Sequence, residues 1–297
     1  AVKTPSGQTP TSITVKLGLA RDAKGKGPTL NIPSLIVEVP ETAYPALQGK
    51  HARYSFSGKS GCISGVEVKT KGKNVVLMPR GSERCPFRIK IKPMDVDIKQ
   101  IEWTGPEAFK LVDTKVDGKT ASFTYKGKEK PITVTLRYTL DANDQLICEA
   151  DIANAHEHDV VEIEYAGLSG VRVGAEGFDD KLIWPIGTGK IYDNPVNIGS
   201  LSIDHPLAAV GFFDMYDKDA GLYVGNQDPD IISMQMSAFS GSGSTYMRFQ
   251  LVKRDRVKAK GGKKTFRLVM GAHPGDWHAG ADWYKTWFMN AFEAPSW

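Results

Sequence analysis

The sequence predicts an all-β protein: a large two-sheet antiparallel supersandwich with one C-terminal α-helix. Three observations carry that expectation. Short runs that alternate apolar and polar residues fill most of the 297 residues, and period two is the mark of a half-buried strand. Turn signals such as Asp117-Gly118 and Asp141-Ala-Asn-Asp144 separate the runs at hairpin spacing. No helical pattern interrupts them before Gly275, so the crossover helices of a parallel sheet are missing.

Residues 1–12, with Thr4-Pro5-Ser6-Gly7 and Thr9-Pro10-Thr11, read as a flexible tail. The chain starts at Ala1 without a Met, which fits a removed signal peptide or a trimmed chain. Residues 12–19 alternate through Ile13, Val15, Leu17 and Leu19, and residues 35–39 form a strand stopped by Pro40. Short strands follow at 51–56, 65–68 and 74–78. Residues 87–92 and 95–103 alternate cleanly, and 110–116 pairs with 120–125 across Asp117-Gly118. Residues 132–138 and 145–154 flank the next hairpin, and 160–165 continues the pattern. After Gly167 glycines, aromatics and carboxylates concentrate. Strands return at 207–215, 221–226, 245–252 and 266–271. No linker divides residues 13–274, so one wide sandwich is expected rather than two ordinary ones.

The helix of residues 275–297 is the one amphipathic stretch. Asp276 can cap it, since a short carboxylate accepts the first backbone N–H groups. Trp277, Ala281, Tyr284 and Phe288 make one apolar stripe, and Trp283 with Trp287 a second. A helix apolar on two sides needs cover on two sides.

Hydrophobic residues at 41% and charged residues at 24% are those of a soluble globular protein. No apolar run reaches the roughly eighteen residues of a membrane span. Net charge is +4, too small to argue for nucleic acid. Its distribution is uneven. Residues 50–130 hold 18 Lys/Arg against 9 Asp/Glu, and residues 141–235 hold 4 against 18. Strand faces that neutralise each other in the fold are the expected reason. Cys148 alternates with Leu146, Ala150 and Ile152, as a buried strand thiol would. Cys62 and Cys85 either pair across a hairpin in an oxidising compartment or remain thiols.

Four segments in order resemble a known group of domains. Residues 145–154 followed by 160–168 resemble the central strands of galactose mutarotase-like sandwiches. Residues 180–195 (Asp-Lys-Leu-Ile-Trp-Pro through Tyr-Asp-Asn-Pro) and 215–229 (with Gly-Leu-Tyr and Asp-Pro) are similar to segments of the N-terminal domains of barrel glycosidases. Gly275-Asp-Trp through Trp287 is similar to the helix that leads from those domains into a catalytic (β/α)₈ barrel. The resemblance covers residues 140–297. It implies the supersandwich of an α-galactosidase-like or endo-α-N-acetylgalactosaminidase-like hydrolase. In such enzymes the carboxylate pair sits on the barrel, and this chain ends before one.

Trp184 and Tyr192 beside Asp180, Asp193 and Asn194 suit a sugar, which has an apolar face and a hydroxyl rim; Asp228 joins them as a glycan-binding candidate. The competing readings are turn capping for the carboxylates and core packing for Trp184. Trp277, Tyr284, Trp287 and Phe288 are the expected contact to a barrel or partner chain. His156, Glu157 and His158 look like an exposed turn. Asp214, Asp217, Asp219 and Asp228 are calcium-type ligands, but Asp217-Lys-Asp219-Ala-Gly221 is too short for a known loop, and no metal or cofactor is expected.

Three functions compete. The first is the non-catalytic sandwich of a secreted or periplasmic carbohydrate-active enzyme, shaping a glycan cleft beside a barrel. The second is a self-contained carbohydrate-binding or assembly subunit docked on a partner chain. The third is a free-standing mutarotase, epimerase or lyase, which needs Glu, His and Arg meeting on one sheet face.

Overall fold

The computed structural model of the chain describes residues 44–82, 84–92, 102–174, 179–241 and 244–292. The tail and the strands expected at 12–19 and 35–39 lie outside them, as do residues 293–297 and most of the strand expected at 95–103.

Among the described residues twenty strands, numbered in chain order, form three antiparallel sheets. The four-stranded sheet runs β1 (Ala46–Gln48), β2 (Ala52–Phe56), β3 (Ile63–Thr70), β4 (Lys73–Met78). The nine-stranded sheet runs in the order β14 (Lys190–Asp193), β13 (Lys181–Trp184), β16 (Phe212–Tyr216), β17 (Ala220–Gly225), β20 (Gly262–Pro274), β10 (Gln145–Asn154), β9 (Ile132–Leu140), β8 (Thr120–Gly127) and β7 (Phe109–Asp117). The seven-stranded sheet runs β15 (Ser200–His205), β18 (Ser233–Phe239), β19 (Met247–Val257), β11 (Asp159–Tyr165), β5 (Phe87–Lys92) and β6 (Glu102–Thr104), with β12 (Leu168–Val171) also on β19. The helix α1 (His278–Ala291) follows β20. The all-β sandwich is as the sequence reads, with a four-stranded sheet added to the two large ones.

Side-chain alternation aims the sheets at one another. In β10, Leu146, Cys148, Ala150 and Ile152 are fully or almost fully buried, while Glu149 and Asp151 point the other way to Arg137. Aromatic pairs join the layers. Phe213 of β16 stacks on Phe249 of β19 at 4.6 Å, and Phe56 of β2 meets Tyr138 of β9 at 4.8 Å. Burying a large apolar side chain contributes about 1.5–3 kcal/mol, and such pairs make this core continuous across all three sheets. Cys62 and Cys85 are thiols, donating to the Arg84 and Phe87 carbonyls.

The hairpin at residues 141–144 fastens the small sheet. Asp144 has a left-handed φ of 63°, which turns its carboxylate onto the N–H groups of Lys50 and Ala52 at 2.8 and 3.3 Å. Tyr54 donates to the Asp144 carbonyl at 3.0 Å and accepts the Ala272 N–H at 2.8 Å, closing the ladder where β10 begins.

Candidate functional site

The candidate site is the outer face of the seven-stranded sheet. Phe87, Ile89 and Ile91 of β5 face the core, so Arg88 and Lys90 face out. Ile163 and Tyr165 of β11 are buried, so Glu162 and Glu164 face out beside them. Register sets Glu164 opposite Arg88 and Glu162 opposite Lys90. The basic and the acidic segment of the sequence meet here.

Glu164 is the centre, only 2% exposed. Its Oε1 accepts from Arg84 Nε at 3.0 Å and Nη2 at 2.6 Å. Its Oε2 accepts from Arg88 Nε at 2.9 Å, Arg88 Nη2 at 2.5 Å and Gln250 Nε2 at 2.7 Å. A carboxylate offers about four lone-pair sites, so these donors saturate it. One row along, Glu162 meets Lys90 at 3.3 Å, and Arg254 bridges to Asp204 of β15 at 2.5 Å. Trp103 of β6 lies under Arg88 and Lys90, with the cations 5.0 and 5.7 Å from its ring centre, within cation–π range.

A cavity of about 340 Å³ lies nearby, lined by Ser82, Ser169, Gly170, Arg172 and Tyr246 among others. Two glycines let the segment before β5 lie close to β12. A Cβ on Gly167 would come 2.8 Å from Arg84 Cδ, and one on Gly170 would come 2.6 Å from Ser82 Oγ. Tyr246 is 40% exposed. An aromatic ring, a guanidinium and hydroxyls around one hollow suit a polyol. The six histidines are absent from the residues that build it: His205 and His273 are buried, and His156 and His158 lie in the turn after β10.

The residues chosen from sequence fall elsewhere. Trp184 is wholly buried, its ring 5.4 Å from Phe213, so the face expected to stack on a sugar is inside the core. Asp180 is also fully buried and accepts the Val173 N–H at 3.1 Å; burial pushes its carboxyl up to about 7, although that N–H pulls it down. Asp228 is 4% exposed and pairs with the buried Lys253 at 3.0 Å. These three are interior groups, which corrects their assignment to a glycan surface. Tyr192 and Asp193 stay on the edge strand β14, with Lys190 4.6 Å above the Tyr192 ring and Lys181 paired to Asp193.

The calcium-type carboxylates are separately engaged. Asp214 bonds His273, Asp217 accepts the N–H groups of Asp219 and Ala220, and Asp228 holds Lys253. No group of three or more metal-type ligands converges among the described residues. His156 Nδ1 accepts the His158 N–H at 3.1 Å, which makes that segment a turn.

Asp276 lies one residue too early to cap α1: the capping position is Trp277, which makes no side-chain cap bond, and the Asp276 carboxylate accepts the His278 N–H at 3.2 Å from outside the helix. Tyr284 faces inward: its ring sits 5.2 Å from Phe212 and its hydroxyl accepts the Gly211 N–H at 3.1 Å. Trp283 also faces the sheet, 5.9 Å from Tyr223. Trp277 stacks on His278 at 4.2 Å. Trp287 and Phe288 form an aromatic end with Phe292; Phe288 is 46% exposed and Met289 57%. No helix among the described residues is long and apolar enough to cross a membrane.

Sequence reading passed over Glu164 and its arginines. The signal was present in Arg88-Ile-Lys90 and Glu162-Ile-Glu164, two alternating strands of opposite charge.

The chain matches no protein-family model and no curated protein by sequence. Its fold matches solved structures. The α-N-acetylgalactosaminidase NagBb from Bifidobacterium bifidum, in its Gal-NHAc-DNJ complex, superimposes with a TM-score of 0.57 at 7% identity, over 82% of this chain and 38% of that one. The GalNAc complex of that enzyme gives 0.55 at 8% identity with the same coverage. A galactose mutarotase related enzyme from Lactobacillus acidophilus gives 0.50 at 9% identity, over 77% of this chain and 97% of that one. The chain therefore has the galactose mutarotase-like sandwich fold, and it spans 38% of the glycosidase it resembles.

Proposed function

We propose that this chain is the non-catalytic β-sandwich portion of a secreted or periplasmic glycoside hydrolase, that its seven-stranded face contributes a glycan-binding wall, and that α1 leads onto a catalytic barrel. The observation that carries this reading is the two-sided helix. Trp283 and Tyr284 anchor α1 to the sandwich, while Phe288 and Met289 lie exposed at its outward end. A monomer gains nothing from exposing such a cluster, and a following domain would cover it. NagBb, in which a region of this fold makes up 38% of the chain and which is described with GalNAc, supports an α-linked galactose-type or GalNAc-type substrate.

The test compares this chain with the longest natural polypeptide that contains it. Both are assayed for release of p-nitrophenol from α-galactoside and α-N-acetylgalactosaminide. The expected result is hydrolysis by the longer polypeptide and none by this chain. Turnover by this chain alone overturns the reading.

A second reading is a self-contained sugar mutarotase, favoured by the near-complete coverage of the mutarotase related enzyme. It requires an acid and a base facing one sugar, and the groups bonded to Glu164 are two arginines and a glutamine, with no histidine among them. Polarimetry of α-galactose decides it: acceleration by this chain, lost in Glu164→Gln, would establish it.

A further inference from the structure

Between the outer face of the nine-stranded sheet and α1 lies a second cavity, of about 300 Å³. Its sheet side is formed by Arg267 of β20, Gln145 of β10 and Gln227 after β17. Its helix side is formed by Trp283 and Trp287, one turn apart, and Asn290. Trp283 is fixed in place. It lies on Gly271, where a Cβ would come 2.2 Å from its Cζ3, and its ring meets His273 edge-on at 5.5 Å.

Arg267 is the unusual member. Its Nε is buried and makes no hydrogen bond. Glu149, opposite it on β10, bonds Arg137 instead. Asp141, also in the cavity wall, accepts the N–H groups of Asn143 and Gln145, both at 2.8 Å. A buried N–H without an acceptor is unfavourable and rare in a folded protein. Beside it stand two indoles and four side-chain amides (Asn143, Gln145, Gln227 and Asn290), groups that together receive C–H faces and hydroxyls.

We propose that this cavity binds one hexuronic acid residue, a pyranose carrying a carboxylate. Arg267, in the cavity wall, takes the carboxylate end-on through its two terminal amino groups, since a guanidinium fork matches a carboxylate bidentately. Trp283 and Trp287 pack on the ring, and Gln145, Gln227 and Asn290 exchange hydrogen bonds with its hydroxyls. The volume fits one residue, because ligand pockets begin at roughly 300 Å³. The inference takes from the functional reading above only that the ligand is a saccharide; the cavity lies on a different sheet from Glu164.

The test is tryptophan-fluorescence titration of the whole chain with galacturonate, glucuronate, galactose and acetate. A saturable change is expected with a uronate, at least about tenfold weaker with galactose or acetate, a difference of roughly one power of ten in Kd. Arg267→Gln removes the preference for the charged sugar, and Arg267→Lys restores part of it. Trp287→Ala weakens binding at least about tenfold, as loss of a central aromatic contact does. Lys110→Gln, on the exposed face of β7, changes nothing. Circular dichroism melts check folding. Should Arg267→Gln fail to fold, Trp287→Ala, at the outer end of the helix, carries the test. Absence of saturable uronate binding overturns the proposal, as does uronate binding unaltered in both variants. The hydrolysis assay of the longer polypeptide reads the barrel proposal separately, whatever the uronates do.

Discussion

His273 Nε2 lies 2.8 Å from Asp214 Oδ2, and Gly280 of α1 covers the pair. Both side chains are buried. Burial alone would lower the His273 pKa, but the charge and hydrogen bond of Asp214 raise it above the ordinary value; burial also raises Asp214. A Cβ on Gly280 would come 2.3 Å from Asp214 Oδ2 and 2.8 Å from Tyr223 Cδ2. The only residue that lets α1 approach this pair is glycine.

Gly280→Ala is therefore expected to destabilise the chain. Alanine favours a helix by up to about 1 kcal/mol over glycine, but forcing a methyl into a packed contact costs about 1–3 kcal/mol. Tyr223 is fully buried and Asp214 is held by His273, so neither can yield cheaply. The net loss should be about 1–2 kcal/mol in urea unfolding, and protease cleavage near residues 275–280 should quicken. An unchanged midpoint would mean that the helix does not sit on the pair.

Asp180 should make stability depend on pH. Its carboxyl is pushed up to about 7 by burial, from 3.8. A raised acid binds its proton more tightly when folded, so its contribution is complete below about pH 4 and is lost as pH rises through 7. Asp180→Asn keeps an acceptor for the Val173 N–H and removes the charge. The variant should be more stable than the parent at pH 8, on the order of 2–4 kcal/mol, and equal to it at pH 4. Thermal melts across that range read the difference.

Glu164→Gln is expected to cost about 2–4 kcal/mol. Removing one partner of a buried ion pair costs about 3–5 kcal/mol, reduced here because Arg84 and Arg88 are partly open to solvent and screened. Without the carboxylate two guanidinium groups face each other. If the seven-stranded face binds glycan, the variant also loses that binding. Added salt should recover part of the stability.

The elements whose pattern is local were legible in the sequence. β10 shows its inward set as Leu146, Cys148, Ala150 and Ile152, and Asp117-Gly118 turns β7 into β8 with Gly118 at φ 53°. The i, i+4 aromatics gave the helix. The site was harder because its bonds are distant: Glu164 reaches Arg84 across 80 positions and Asp214 reaches His273 across 59. The neighbours of Trp184 in the sequence suit both a sugar-binding face and core packing. Only the packing of β13 against β16 places that ring on Phe213. Asp228 likewise reads as a loop carboxylate until Lys253, 25 positions on, is found beside it.

The Lys253–Asp228 pair permits the sharpest stability test. Lys253 is fully buried, with Nζ 3.0 Å from Asp228 Oδ2, 2.5 Å from Asn226 Oδ1 and 3.1 Å from the Ile232 carbonyl. Burial pushes the ammonium down to about 8 from 10.5, although Asp228 draws it back up. The folded chain then gives up this proton before the unfolded chain does, so the cost of burying the charge is present below pH 8 and relieved as pH rises towards 10.5. At pH 7, Lys253→Met should cost about 3–5 kcal/mol, because Asp228 is left buried and charged. Lys253→Met combined with Asp228→Asn should recover most of that loss, since no unpaired charge remains. Urea unfolding of the two single variants and the double variant at pH 7 gives the coupling directly. Additive losses would mean that the two residues act independently despite their 3.0 Å contact.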